Sequence, residues 1–216
     1  LSAGWACPFA NECYAKVDPI TGKITDGPNQ KFRCFSASQE NLFPQTRKQR
    51  QYNFDLLKKI KSVKEMALLI EKSLPHEKYN IIRIHVSGDF FNITYLKAWI
   101  LVAKRNPDRM FYTYTKSIPY LVQELNNIPS NLRITASKGG KHDNLIEKYN
   151  LKFAQVVYSI EEAEILGLKI DHDDSLAYAY DESFALLVHG TQQSGSQASI
   201  AKQKLAKNGW TGYSRK

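Results

Sequence analysis

Ile81-Ile82-Arg83-Ile84-His85-Val86-Ser87-Gly88-Asp89 decides how this chain is read. Six residues rich in β-branched side chains run into Ser-Gly-Asp, which is the signature of a strand that ends in a turn. Working outward, residues 92–106 read as a helix stopped by Pro107, and residues 110–115 as a strand with Tyr112 and Tyr114 on one face. A helix at 118–126, a strand at 132–136 and a short helix at 143–149 follow. Next come a strand at 153–159, a helix at 160–166 and a last apolar strand at 184–188. Strand and helix alternate repeatedly, which predicts a parallel sheet with crossover helices, an α/β fold of the partial (β/α) barrel type. Upstream, Asn53 caps an expected helix to about Ser73, with Leu56, Leu57, Ile60, Val63, Ala67 and Ile70 at helical spacing. From Gly190 the chain is expected to open a further helix reaching about Asn208. At 216 residues the whole chain fits one domain.

Polar residues gather where the predicted strands stop. They are Ser87-Gly88-Asp89, Thr115-Lys116-Ser117, Ser137-Lys138-Gly139, Tyr158-Ser159 and His189-Gly190-Thr191-Gln192. Sites in barrels and open α/β sheets form at that edge. Taken singly, each cluster is ordinary loop composition, and Asp89 is equally an N-cap residue. His85 reads more simply as a satisfied core histidine than as a ligand. Asp171-His172-Asp173-Asp174 lacks the spacing of a calcium loop and reads as a solvated acidic loop.

Residues 1–52 show no clear periodicity and are rich in turn formers, so something must order them. All three cysteines, Cys7, Cys13 and Cys34, lie there, and none follows. Three thiols cannot all pair internally. They can hold three irons of a cubane 4Fe–4S cluster and leave the fourth open, or bind a metal such as zinc with an outside ligand such as His76, His85 or His189, or stand as buried free cysteines. The polar, turn-rich setting argues against the last, and the absence of a Cys-x2-Cys pair argues against zinc.

The net charge is +9 and uneven. Between Lys16 and Lys64 eleven Lys/Arg face four Asp/Glu, and residues 202–216 carry five basic side chains and no acid. Residues 161–182 carry eight acids and Lys169 alone. A basic face suits nucleic acid, and equally a solvated surface. The tail from Trp210 to Lys216 is aromatic and basic, able to stack on bases or dock on the domain. No apolar run approaches a membrane span of about 20 residues, so no membrane partner is expected. Clustered thiols and no recognisable leader lead to the expectation of a cytoplasmic setting.

Gly4-Trp5-Ala6-Cys7-Pro8-Phe9-Ala10-Asn11-Glu12-Cys13, Cys34-Phe35-Ser36-Ala37-Ser38, Asn41-Leu42-Phe43-Pro44, the segment from Arg83 to Phe90 and Phe111 to Ser117 together resemble the phage family called gene product eighty-eight. That family label carries no reaction; the likeness implies a viral origin, the cytoplasm of an infected host and phage or host protein partners. The chain also resembles, more distantly, the radical S-adenosylmethionine proteins, whose partial barrel follows an N-terminal three-cysteine loop. This likeness implies that Cys7, Cys13 and Cys34 hold a 4Fe–4S cluster. It further implies that Ser87, Gly88, Asp89, Lys116, Ser137 and Lys138 line a site for S-adenosylmethionine. The usual Cys-x3-Cys-x2-Cys spacing is replaced here by Cys-x5-Cys-x20-Cys.

Overall fold

The computed structural model describes residues 1–210. In chain order the elements are β1 (Ala15–Val17), β2 (Ile24–Asp26), α1 (Phe35–Leu42), α2 (Pro44–Lys59), α3 (Val63–Lys72), β3 (Ile81–Arg83), α4 (Ile93–Arg105) and β4 (Met110–Thr115). They continue with α5 (Ile118–Glu124), β5 (Leu132–Ser137), α6 (Asn144–Lys148), β6 (Phe153–Val157), α7 (Ile160–Ile165), β7 (Lys169–Ile170), α8 (Ser175–Tyr178), β8 (Phe184–Leu187) and α9 (Gln197–Lys207).

Six strands form one sheet in the order β3-β4-β5-β6-β8-β7, and every neighbouring pair is parallel. The sheet is curled into an open half-barrel. Flat, its two edges would stand about 24 Å apart, five gaps of about 4.8 Å. Yet Arg83, in edge strand β3, donates from Nη1 to Asp174 Oδ2 at 2.8 Å, and Asp174 lies just past the other edge strand, β7. Asp174 Oδ2 also accepts the Tyr112 hydroxyl at 2.9 Å, and Oδ1 that of Tyr114 at 2.8 Å. One carboxylate thus gathers three donors across the concave face. Alternation along β4 sorts the rest. Tyr112 packs inward with Ala154, Phe184 and Ala177 of α8. Phe111 points outward into a core with Met66, Ile70, Leu96 and Trp99. Each such large side chain, fully buried, contributes roughly 1.5–3 kcal/mol.

Capping explains where the helices begin. Asn92 Oδ1 accepts the Tyr95 N–H at 2.8 Å and opens α4. Ser62 Oγ accepts the Glu65 N–H at 3.4 Å and opens α3, a Ser-x-x-Glu signature. The helix expected from Asn53 to Ser73 is therefore two. α2 begins earlier, with Pro44 in its first turn, and stops at Lys59. Residues 1–52 are likewise not irregular throughout, because the β1–β2 hairpin, α1 and much of α2 lie within them. Ladder pairing in β3 ends at Arg83, with one more bond from Ile84 N–H to Tyr112 carbonyl at 3.0 Å. The last helix starts at Gln197 behind its Ser196 cap rather than near Gly190. β7 and α8 were not expected. The acidic run between them is not a solvated loop, since Asp171 is 2% exposed and Asp174 8%. Of the aromatic, basic tail, residues 211–216 lie outside the described residues. No helix among the described residues is long and apolar enough to cross a membrane.

Candidate functional site

The first thirteen residues are tied along the C-terminal edge of the sheet. Asp89 N–H donates to the Ala6 carbonyl at 3.1 Å, and Lys141 N–H to Phe9 at 2.9 Å. Ala10 bridges Gly140, and Glu12 N–H donates to Gly139 at 2.9 Å. Cys7 is thereby held beside the turn after β3, and Cys13 beside the loop after β5. Cys34 precedes the first turn of α1, and its carbonyl accepts the Ala37 N–H at 3.1 Å. Its neighbour Arg33 is clasped from the far side of the sheet. The Gln192 side chain accepts the Arg33 N–H at 2.7 Å and donates to its carbonyl at 3.1 Å. Ser38 Oγ adds a bond to the Thr191 carbonyl at 2.9 Å. Separate local ties thus carry three cysteines to one place.

All three thiols are free, half-buried and line a single cavity of about 950 Å³. That volume is near the top of the usual range for ligand sites, about 300–1,000 Å³. Burial pushes the Cys7 thiol well above its ordinary range, and the charges of Asp89, Cys34 and Cys13 push the same way. Burial lifts Cys13 to about 11; Lys116 opposes the rise, while Cys34 and Asp89 add to it. The sulfurs therefore share one electrostatic neighbourhood. Among the described residues no group of three His, Cys, Asp or Glu side chains is arranged to hold a single metal ion. Sulfurs around one zinc, each at 2.3 Å, would stand about 3.8 Å apart. In a cubane each sulfur binds its own iron, so the trio is spread more widely.

Ser87, Gly88, Asp89, Lys116 and Ser137 also line the cavity, whereas Lys138 does not. The Lys138 ammonium lies 4.2 Å from the Phe153 ring centre, and only its backbone carbonyl takes part in the site. Gly88 sits at φ +81°, and a Cβ there would meet Leu1 Cβ at 2.6 Å and Ala6 Cβ at 3.1 Å, so this turn requires glycine. Asp89 is turned onto the chain itself. Oδ1 accepts from Thr115 Oγ1 at 2.5 Å and from Phe90 N–H at 2.6 Å, and Oδ2 from Lys116 N–H at 2.7 Å. Burial nevertheless lifts its carboxyl to about 6, because desolvation outweighs those bonds. Lys116 Nζ donates to the Ser137 carbonyl, Ser137 Oγ and the Lys138 carbonyl at 3.1, 2.7 and 2.6 Å. His85 is 8% exposed, and burial depresses its imidazole to about 3. Its Nε2 meets Thr113 Oγ1 at 3.1 Å and the ring stacks near Tyr95. But Nδ1 is buried without a hydrogen-bond partner among the described residues and the residue lines the cavity, so it is not the satisfied core histidine expected.

Glu40 was not singled out from the sequence. It is wholly buried, and its carboxylate accepts the Ala3 N–H at 3.0 Å, Ser87 Oγ at 3.1 Å and Arg50 Nη1 at 3.3 Å. Three arginines of the basic N-terminal stretch also turn inward. Arg47 donates to the Glu40 and Pro19 carbonyls, Arg50 to Glu40, and Arg33 to Asp26. The exposed basic face is correspondingly smaller than the sequence count.

A parallel α/β half-barrel, roofed at its C-terminal edge by a cysteine-bearing segment, is the class these features define. Residues 1–209 match the family described as Gene product 88, and the chain belongs to that family. It is similar to the Gene 88 protein of Mycobacterium phage L5, with 29% identity over 120 residues covering 52% of this chain. The matched stretch spans 44% of the phage protein, less than half its length. No solved structure matches the chain.

Proposed function

We propose that this chain is an iron–sulfur protein of phage type, acting in the cytoplasm of the infected host. Cys7, Cys13 and Cys34 hold a 4Fe–4S cluster at the mouth of the half-barrel, and the cavity behind them admits S-adenosylmethionine. The observation that carries this reading is that three cysteines from separate segments line one cavity at the C-terminal edge of a parallel sheet. When bound, the cluster supplies one-electron chemistry, and its open iron is the place where S-adenosylmethionine would be reductively cleaved. The chain contributes three sulfur ligands, a turn at Gly88 that lets the N-terminal segment close down, and walls that keep bulk water from the centre.

A second reading keeps the cluster and drops the cofactor. It is favoured by Asp89 and Lys116, whose polar atoms already bond the chain's own groups. The protein would then use its iron–sulfur centre for structure or electron transfer and bind nucleic acid or a host protein through exposed lysines. Anaerobic reconstitution followed by dithionite reduction with S-adenosylmethionine separates the two. Formation of 5′-deoxyadenosine supports the first reading; a loaded cluster without it leaves the second; a chain that binds zinc but no iron removes both.

A further inference from the structure

Lys116 is 7% exposed, and the three oxygens around its Nζ match the three N–H bonds of an ammonium. Two are backbone carbonyls and one is a hydroxyl, so none carries charge. Among the described residues Lys116 has no ion-pair partner. A buried cation without a contacting anion needs compensation nearby. Asp89 is close, but it meets the backbone N–H of Lys116 rather than the ammonium. Lys116 lines the same cavity as the three cysteine sulfurs, together with Asp89, Asp171 and Asp174.

Geometry supplies a second link. Lys116 follows β4, and its ammonium ties that end to the loop after β5. Gly140 of this loop lies so near that a Cβ on it would stand 3.3 Å from Lys116 Cβ. The same loop carries Ala10 and Glu12 through backbone pairing, and Cys13 is the next residue.

Resting on the cluster reading above, we infer that Lys116 is a positioning residue and fixed counter-charge for the Cys13 corner of the centre. It would not touch S-adenosylmethionine. A positive charge in a poorly solvated site stabilises the reduced, more negative centre over the oxidised one, and so raises its potential.

The test uses the full chain, reconstituted anaerobically with iron and sulfide, as wild type, Lys116→Met and Lys116→Arg. Midpoint potentials are read by dithionite titration followed by electron paramagnetic resonance. The expected result is a more negative potential for Lys116→Met, with Lys116→Arg close to wild type. Equal potentials for Lys116→Met and wild type, or an equal shift in both variants, would overturn the inference while leaving the cluster intact. Should Lys116→Met load no iron, retention by Lys116→Arg supports the role of charge, and loss in both variants overturns it. A wild-type chain that takes up no iron overturns the cluster reading and this inference with it.

Discussion

Glu40 Oε1 accepts the Ser87 hydroxyl at 3.1 Å, which joins α1 to the turn after β3 inside the protein. The same carboxylate holds the Ala3 N–H and Arg50. It therefore pins the cysteine-bearing segment, α1, α2 and the sheet at one point. Glu40→Ala would remove the anion from Arg50, whose guanidinium keeps only the Ser36 carbonyl and the Gln39 side chain among the described residues, and would leave two buried donors unpaired. The expected cost is about 3 kcal/mol of stability. Thermal melting measures it, and limited proteolysis should show early cleavage within the first 34 residues. An unchanged melt would mean that the segment is held elsewhere.

The concave face depends on Asp174 in a similar way. It links the two edges of the sheet through Arg83 and takes two tyrosine hydroxyls. Its φ of +66° lies in the left-handed region, which Asn tolerates about as well as Asp. Asp174→Asn keeps that backbone but loses the charge opposite Arg83. A loss of about 2–3 kcal/mol in denaturant unfolding is expected, less than for Asp174→Ala.

How much of this was legible in the sequence follows from the kind of interaction involved. Strand–helix alternation from Ile81 onward was readable because it rests on local periodicity, and the parallel sheet followed from it. The break at Ile60 was also written locally, in Ser62 and Glu65, but the apolar spacing running through it masked the signal. β7 and α8 left little trace. Their six residues are specified by Asp174 reaching Arg83 and Tyr112, partners more than sixty positions away. Cys7, Cys13 and Cys34 could be named together, but the ties that bring them to one cavity run through Gln192, Gly139 and Glu40. Gly139 and Gln192 stand among the polar strand ends, but nothing in the local sequence marks Glu40 or says which cysteine each of the three would help to hold. Lys138 was placed at the site by its neighbours, whereas its side chain found the Phe153 ring instead.

Acid stability should carry the signature of His85. Its folded-state value, about 3, lies below the ordinary 6.5, so the unfolded chain binds the proton first as pH falls. Its contribution is present above pH 6.5 and is lost on acidification toward 3, by up to about 1.4 kcal/mol per pH unit. Asp89, lifted to about 6, runs the opposite way, favouring the folded state as pH falls from about 6 to 4. His85→Gln is expected to flatten the loss of stability between pH 6.5 and 4, and Asp89→Asn to steepen it. Chemical denaturation at a series of pH values checks both signs.

Gly88→Ala should strike the turn beneath the cysteine segment. A side chain at φ +81° costs about 1–2 kcal/mol, and the added methyl group meets Leu1 and Ala6. The expected outcome is a lower melting temperature together with weaker iron retention against a chelator. An effect on stability alone would separate the fold of the turn from the centre above it.

In the proposed function Cys7, Cys13 and Cys34 act together on one inorganic centre. Its most direct measurement is iron and sulfide content, with the visible spectrum, of the anaerobically reconstituted chain and of Cys7→Ala, Cys13→Ala and Cys34→Ala. The expected result is about four irons and four sulfides per wild-type chain, with loss of bound iron and of the charge-transfer bands in each variant. Iron content unchanged in all three variants, or no iron in the wild type, would contradict it.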